Sequence, residues 1–222
     1  MKTIETSLAH KILIPQGQAP HPGLILLHGR GADENDLIGL SEYLSDRLFT
    51  MSVRAPFPFP YGGGYTWYDV DQVGTPEPGM FTSSYEKLVQ FVDDAMKHYP
   101  IDPRRLFLLG FSMGTVMSLA FALTHPGRVR GVSANSGYVP EGTHLQFRWQ
   151  ELSTLHIMIT HGQQDPVIPV EFARRAQQLF SHSNAQVSYK EYLAGHHLSD
   201  ESLIDIAAWM NDLVDQTSTG NA

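Results

Sequence analysis

The segment Gly110–Gly114 has the pattern Gly-x-Ser-x-Gly, with Ser112 at its centre. A bare apolar run, 106–109, precedes the pattern, and a stretch with apolar residues at helical spacing follows it. A serine on a sharp turn between a buried strand and a helix projects its hydroxyl into a cleft, and flanking glycines leave room for the neighbouring chain. The pattern therefore predicts Ser112 as a nucleophile that attacks an acyl carbon. The alternative is an ordinary glycine-rich turn with a capping serine.

A serine nucleophile needs a base, and the base needs an acidic partner that orients it. Asp165 lies at a polar turn after the apolar run Leu155–Thr160, which makes it the candidate acid, although it could instead make only a hydrogen bond within the turn. His196 and His197 follow the last predicted strand, and spacing alone does not decide between them. The position directly after Gly195 favours His196. The chain order Ser, Asp, His is the order of α/β-hydrolases.

The loop His28–Asp33 follows another bare apolar run, Leu24–Leu27. In α/β-hydrolases one backbone N–H of the oxyanion hole comes from a loop after an early strand, and another from the residue after the nucleophile. We therefore assign the backbone N–H groups of Arg30 and Met113 as oxyanion donors. We expect His28 to hold the loop backbone by hydrogen bonds. The Arg30 side chain has two open roles, pairing with an acidic substrate group and simple solvation.

The elements that must position these residues alternate between strands and helices. This alternation predicts an α/β fold, with a mostly parallel central sheet covered by helices on both faces and the chemistry at the carboxyl ends of the strands. We expect one domain over residues 1–222, with a polar, frayed tail at 215–222. The predicted strands are His10–Pro15, Leu24–Leu27, Met51–Ala55, Arg105–Gly110, Val129–Ala134, Leu155–Thr160 and Val187–Tyr192; the predicted helices are Asp36–Leu48, Ser83–His98, Thr115–His125, Pro169–Phe180 and Ser202–Val214.

The segment Ala55–Phe81 breaks this alternation, because it carries five prolines, the run Gly62–Gly64 and several aromatic residues. Long irregular segments in compact domains are usually functional or mobile. We expect the segment to form one wall of an apolar acyl pocket, with Tyr65, Trp67 and Phe81 as candidate lining residues. Packing in the core under the loop is the alternative for Trp67 and for its neighbour Tyr68.

The composition argues against several other classes of protein. The formal net charge of −8 disfavours nucleic acid and anionic membrane surfaces as partners. The absence of cysteine excludes disulfides, thiolate metal sites and a thiol nucleophile. No apolar run is long enough for a signal peptide or a membrane span, so we expect a soluble, cytoplasmic protein without integral membrane association. No tight metal-ligand spacing occurs, and we expect no metal and no cofactor.

In their order along the chain, these motifs resemble the phospholipase/carboxylesterase family of α/β-hydrolases, which includes acyl-protein thioesterases and small bacterial carboxylesterases. The resemblance runs from about residue 24 to residue 199. It implies Ser112, Asp165 and His196 as the catalytic triad, Arg30 and Met113 as the oxyanion donors, and a compact enzyme without a large lid domain. The matching pieces are Leu27-His28-Gly29-Arg30-Gly31, Arg54-Ala55-Pro56, Trp67-Tyr68-Asp69, Gly110-Phe111-Ser112-Met113-Gly114, His161-Gly162 with Asp165, and Gly195-His196.

The resemblance implies a serine hydrolase of carboxylesterase type that cleaves a small-molecule ester or thioester through an acyl-enzyme. The acyl-protein thioesterases commonly carry Gln after the nucleophile, where this chain has Met113, and this difference favours a bacterial-type esterase. One alternative is a lysophospholipase or acyl-protein thioesterase that acts on long acyl chains. Another is a catalytically silent hydrolase-fold protein that binds a ligand. The resemblance leaves a homodimer open, because the sequence indicates no interface.

Overall fold

The computed structural model describes residues 2–216 and contains a seven-stranded sheet. The strand order is β1-β3-β2-β8-β9-β10-β11; β1 is antiparallel to β3, and all other neighbours are parallel. This confirms the predicted mostly parallel sheet. The strands are β1 (His10–Leu13), β2 (His21–Leu27), β3 (Phe49–Val53), β4 (Phe57–Pro58), β5 (Tyr65–Thr66), β6 (Val70–Gln72), β7 (Thr75–Pro76), β8 (Ile101–Phe111), β9 (Gly131–Asn135), β10 (His156–Gly162) and β11 (Gln186–Tyr192); the helices are α1 (Pro78–His98), α2 (Met113–Thr124), α3 (Glu171–Phe180) and α4 (Asp200–Gln216).

Helices cover both faces of the sheet because its central strands are apolar on both sides. Successive side chains of a strand point to opposite faces. Accordingly Ile25 and Leu27 of β2 pack in the cluster that holds α1, α2 and α3, whereas Leu24 and Leu26 pack in the cluster that holds α4. All four side chains are fully buried. The bare apolar run in the sequence therefore reflects a strand buried on both faces.

The prediction of an α-helix over Asp36–Leu48 is wrong. The segment forms only a short 3₁₀ helix, Ile38–Glu42, and its turns are closed by hydrogen bonds between residues three apart. Gly39, which has a low helix propensity, lies in this stretch, and the Ser41 hydroxyl donates to the Ile38 carbonyl and competes with regular helical bonding. The leucine spacing nevertheless predicts burial correctly, since the leucines of this segment pack against the sheet on the α4 side.

The irregular segment 55–81 contains two short hairpins, β4–β5 and β6–β7, followed by the start of α1. The helix begins five residues earlier than the predicted Ser83. Glu77 caps its N-terminus, because its carboxylate accepts hydrogen bonds from the backbone N–H groups of Gly79, at 3.0 Å, and Met80, at 2.6 Å. Pro78 takes the first helical position, where a missing N–H costs nothing.

The last helix, α4, differs from its prediction at both ends, because it begins at Asp200 and not at Ser202, and it continues beyond Val214. It extends through Gln216, so Asp215 and Gln216 are helical and do not belong to the predicted frayed tail. The rest of that tail, 217–222, lies outside the described residues. Within 2–216, none of the helices has the length and apolar composition that a membrane crossing requires.

Candidate active site

Ser112 sits on the turn between β8 and α2 in a backbone conformation that L-residues rarely adopt, with φ 54° and ψ −118°. The turn is tight enough to exclude side chains on either side. A Cβ added at Gly110 would lie 2.4 Å from the Thr115 nitrogen, and one added at Gly114 would lie 1.8 Å from the Leu27 carbonyl oxygen. The predicted reason for the two glycines is therefore confirmed, and the strained turn exposes the serine hydroxyl at the sheet edge.

A buried polar network lies directly beneath this turn. The Asn135 amide at the end of β9 donates to the Gly110 carbonyl at 2.8 Å, and its oxygen accepts from the Thr160 hydroxyl at 2.7 Å. The Thr115 hydroxyl lies 2.8 Å from the Gly110 carbonyl. The Asn135 carbonyl in turn accepts the Ser112 N–H at 2.9 Å. The carboxyl ends of β8, β9 and β10 are therefore tied together under the serine, a feature that the sequence analysis missed.

The three predicted triad residues come together at the carboxyl edge of the sheet. His196 Nε2 lies 3.0 Å from Ser112 Oγ, and His196 Nδ1 lies 2.7 Å from Asp165 Oδ2. The other carboxylate oxygen accepts the backbone N–H groups of Val167 and Ile168, both at 2.8 Å. Because Asp165 accepts at Nδ1, that nitrogen carries the proton and Nε2 is free to accept from the serine hydroxyl.

The structure also distinguishes the two adjacent histidines. His196 packs its ring against Phe111, with the ring centroids 5.0 Å apart, and makes both bonds of the chain from serine to aspartate. No hydrogen bond of the described residues joins His197 to Ser112 or Asp165. The predicted choice of His196 thus agrees with the geometry.

A third histidine, His161, lies next to the aspartate and enters the sequence prediction only as part of the family motif His161-Gly162. Its Nε2–H donates to the Ile168 carbonyl at 2.8 Å and lies 3.4 Å from Asp165 Oδ2, while Nδ1 is buried without a partner among residues 2–216. Burial lowers the pKa of His161, which keeps the ring neutral. His161 thus holds the turn whose N–H groups bind the Asp165 carboxylate.

The two residues predicted as oxyanion donors, Arg30 and Met113, line the same cavity as Ser112. Met113 is the first residue of α2, so its N–H has no acceptor within the helix. Arg30 lies on the turn after β2. Strand β5 fixes the next two residues of this turn: the Gly31 N–H donates to the Tyr65 carbonyl, and the Tyr65 N–H donates to the Ala32 carbonyl, both at 2.8 Å. Neither the Arg30 nor the Met113 N–H donates to another group in the described part of the chain.

His28 holds the same turn from below, as the sequence analysis expected. Its Nε2 accepts the Ala55 N–H at 3.0 Å, so the proton is on Nδ1, which donates to the Gly29 carbonyl at 2.6 Å. The indole N–H of Trp67 donates to the His28 carbonyl at 2.9 Å. Burial lowers the pKa of His28 and favours this neutral form.

Two arginines stiffen the surroundings of the turn 29–32, which carries Arg30 and is called the oxyanion turn below. Arg54 forms a two-pronged ion pair with the buried Glu34 and lies over the Tyr65 ring, 4.6 Å from its centroid. The Arg30 guanidinium lies 4.8 Å from the centroid of Phe59 and 3.8 Å from the Asp69 carboxylate. The Arg30 side chain stays partly exposed beside these contacts, so both roles left open for it, pairing with an acidic substrate group and solvation, remain predictions.

A mostly apolar cavity of about 390 Å³ opens beside the serine hydroxyl. Its volume lies in the lower part of the range for small-molecule sites. Polar atoms reach it from the oxyanion turn and from His196. Its apolar wall is formed by Tyr68, Val70, Val73, Met113, Tyr138 and Ile168.

The structure corrects the predicted pocket wall, because Tyr65, Trp67 and Phe81 do not line this cavity. Trp67 is fully buried in the core, which was the alternative for that residue, and Phe81 packs behind Tyr68 with its ring centroid 5.5 Å away. Tyr65 is held under the Arg54 guanidinium. The segment 55–81 does contribute to the wall, but through Tyr68 and the β6–β7 hairpin.

In the range 2–216, no three His, Asp or Glu side chains are grouped as metal ligands. The hydroxyl of Ser112, the imidazole of His196 and the carboxylate of Asp165 form the kind of arrangement that supports acyl chemistry.

A mostly parallel sheet, a serine on a strained strand–helix turn and a histidine–aspartate pair at the sheet edge define an α/β-hydrolase. The family model described as Phospholipase/Carboxylesterase matches residues 8–214, and the chain belongs to this family. The family resemblance found in the sequence is therefore confirmed.

Among curated relatives, Acyl-protein thioesterase 1 of Candida albicans is 25% identical over an alignment of 228 positions, which covers 92% of this chain and 98% of the relative. The probable carboxylesterase SOBER1-like of Arabidopsis thaliana is 24% identical, and the alignment covers 89% of this chain and 81% of that relative. Of solved structures, the Bacillus cereus carboxylesterase superposes with a TM-score of 0.81 at 23% identity, covering 93% of this chain and 94% of its own. The Mesorhizobium loti carboxylesterase gives 0.81 at 20% identity, with 94% and 96% covered. These structures share the fold.

Proposed function

We propose that this family member is a carboxylesterase-type serine hydrolase in which Ser112 is the nucleophile, His196 the base and Asp165 the orienting acid. The observation that carries the proposal is the continuous hydrogen-bonded chain from Ser112 Oγ through both ring nitrogens of His196 to Asp165. Serine alone is a weak nucleophile at neutral pH, and this chain is the arrangement that activates it.

The reaction proceeds through an acyl-enzyme. His196 Nε2 takes the Ser112 proton as Oγ attacks the acyl carbon, and the charge on the carbonyl oxygen is stabilised by the N–H groups of Arg30 and Met113. The imidazolium then protonates the leaving alcohol or thiol as its bond to the acyl carbon breaks. Asp165 stabilises the imidazolium during both transfers.

Water completes the cycle by attack on the acyl-enzyme. His196 takes one proton of the water, the same two backbone N–H groups hold the oxyanion, and the bond to Ser112 Oγ breaks as the oxygen regains its proton. The products are a carboxylic acid and the free enzyme. His196 accepts and returns the proton in both halves of this reaction.

The apolar wall of the cavity supports an uncharged acyl group as substrate. Burying an unpaired charge against such a wall is costly, whereas each methylene that leaves water contributes about 0.8 kcal/mol. The volume of about 390 Å³ falls within the range of small-molecule sites, which supports a small-molecule ester as substrate.

A thioester of a longer acyl chain is the second candidate substrate, supported by the relative named Acyl-protein thioesterase 1. An oxygen or sulfur leaving group uses the same serine, histidine and oxyanion donors. Comparing butyryl with palmitoyl thioesters separates the candidates, because only the second predicts a kcat/KM that rises with chain length.

The test is the hydrolysis of p-nitrophenyl butyrate by the wild type, Ser112→Ala and a control, Ser118→Ala. Ser118 is buried in α2, where its hydroxyl donates to the Gly114 carbonyl. We expect turnover to fall by about 10⁶-fold in Ser112→Ala. We expect the control to keep its activity, and a fluorophosphonate to label Ser112 alone. Equal rates in wild type and Ser112→Ala would refute the proposal.

A further inference from the structure

Tyr138 lies on the loop after β9 and separates two cavities. It lines the cavity beside Ser112, and it also lines a smaller cavity of about 100 Å³ whose other walls include Gly74, Gly142, Phe172 and Arg175. Among the described residues, Tyr138 is the only one that lines both. Its ring is buried, so it is a dividing wall rather than a surface flap.

The Tyr138 ring is fixed from both sides. Its hydroxyl lies 3.3 Å from the hydroxyl of Tyr68, on the side of the catalytic cavity. The ring centroid lies 5.5 Å from that of Phe172, which also belongs to the smaller cavity. These contacts hold the ring across the passage between the two spaces.

The two borders of the catalytic cavity differ in polarity. At one, Asp36 and Ala32 are shared with an open groove that is lined by Asp33, Asn35 and the Gly62–Gly64 turn. An apolar chain gains nothing from that acidic surface. At the other border stand Val73 and Tyr138, next to the smaller cavity. An acyl chain held at Ser112 therefore extends toward Tyr138.

We propose that Tyr138 ends the acyl-binding site and thereby determines the longest acyl chain that the enzyme accepts. The inference rests on the proposed function and deepens it by assigning a residue that determines specificity. Beyond Tyr138, the smaller cavity leads past the exposed Arg175–Glu141 ion pair toward the surface. Removing the ring joins the two cavities, so a longer chain gains a path along Phe172.

The experiment measures kcat/KM for p-nitrophenyl esters of two to twelve carbons with the wild type, Tyr138→Ala and Tyr138→Phe. We expect the wild type to prefer the shorter chains. In Tyr138→Ala the ratio of decanoate to butyrate kcat/KM rises by roughly tenfold or more, because each additional buried methylene contributes about fourfold. Tyr138→Phe keeps the ring, so its ratio stays close to that of the wild type.

Tyr85→Ala serves as the matched control for loss of a tyrosine ring. Tyr85 is on α1, away from both cavities, and its hydroxyl bonds Thr124 at 2.7 Å. We expect this variant to keep the wild-type chain-length ratio. If Tyr138→Ala lacks a cooperative thermal transition, Tyr138→Leu replaces it, with a smaller increase expected.

The outcomes separate this inference from the proposed function. Absence of Ser112-dependent hydrolysis with every ester refutes the proposed function. Ser112-dependent hydrolysis with the same chain-length profile in wild type and folded Tyr138→Ala refutes the role of Tyr138 alone. An equal gain for long chains in Tyr138→Phe also refutes it, because the lost hydroxyl contact with Tyr68 and not the ring would then be responsible.

Discussion

The network beneath the nucleophile gives a prediction about Asn135, whose amide is fully buried. Its oxygen accepts from the hydroxyls of Thr160, at 2.7 Å, and Ser133, at 3.2 Å. Asn135→Ala removes both contacts and also the donor to the Gly110 carbonyl, although that carbonyl keeps the Thr115 hydroxyl. The variant therefore leaves two buried hydroxyls without this acceptor.

The size of the effect follows from these contacts. A buried polar group that loses its partner costs about 1–3 kcal/mol, so two hydroxyls give a loss of about 2–6 kcal/mol in the free energy of unfolding. Thr160→Val removes the hydroxyl itself, and we expect that variant to cost only about 1 kcal/mol. Because the double variant Asn135→Ala with Thr160→Val no longer buries that unpaired hydroxyl, it should be less destabilised than the sum of the single variants, by about 1–2 kcal/mol.

Denaturant unfolding measures this coupling when it is applied to the wild type, both single variants and the double variant. The kinetics of p-nitrophenyl butyrate hydrolysis on the same samples measures how well Ser112 is positioned. Asn135 positions Ser112 through the Gly110 carbonyl and its own backbone carbonyl. We expect kcat to fall by about 10–100-fold with little change in KM, since a small displacement of a reacting group has effects of this size. Additive losses of stability, or an unchanged kcat in a destabilised Asn135→Ala, would refute the reasoning.

Two further predictions concern Asp165 and the buried histidines. Asp165→Asn keeps an acceptor for the Val167 and Ile168 N–H groups but turns an amide N–H toward His196 Nδ1. The imidazole then takes the wrong tautomer, and we expect kcat to fall by about 10⁴-fold. An unchanged kcat would contradict the assignment of Asp165 as the acid. Burial holds the pKa of His161 and His28 below the ordinary 6.5, so below that pH the unfolded chain binds more protons and the free energy of unfolding falls. His161→Gln should flatten this fall between pH 7 and 5 in denaturant titrations, and an equal slope in both proteins would count against it.

The site was predictable where its geometry follows from the sheet. Residues that follow the carboxyl ends of parallel strands must meet at one edge, so a serine after β8, an aspartate after β10 and a histidine after β11 could be brought together from order alone. The flanking glycines of Ser112 had a steric reason that the sequence exposed. His161 carried a weaker signal, since it directly precedes Gly162 at the end of a strand, but a histidine buried with a free Nδ1 has no pattern of its own.

The cavity wall was not predictable for a different reason. Trp67 and Tyr68 are neighbours with similar apolar character, yet the first packs in the core and donates to His28, and the second faces the cavity. No periodicity separates them, because the segment belongs to short hairpins whose orientation depends on tertiary contacts. Tyr138, on a loop from a distant part of the chain, gave no sequence signal either. Likewise the leucine spacing at 37–48 predicted burial correctly but could not predict 3₁₀ bonding.

The segment 55–81 both holds the turn that carries Arg30 and lines the cavity beside Ser112, which couples the two proposed functions physically. Tyr65 on β5 bonds the backbone on either side of the Gly31–Ala32 peptide, and a Cβ at Gly64 would lie 2.1 Å from the Gly31 carbonyl oxygen, so the hairpin fits only by close backbone contact. A few residues later, Val70 and Val73 line the cavity. A shift of this segment therefore moves the proposed oxyanion donor, Arg30, and the proposed acyl wall together. Changes in acyl preference that arise here should alter kcat along with KM, whereas we expect changes at Tyr138 to act only on the far end of the acyl chain.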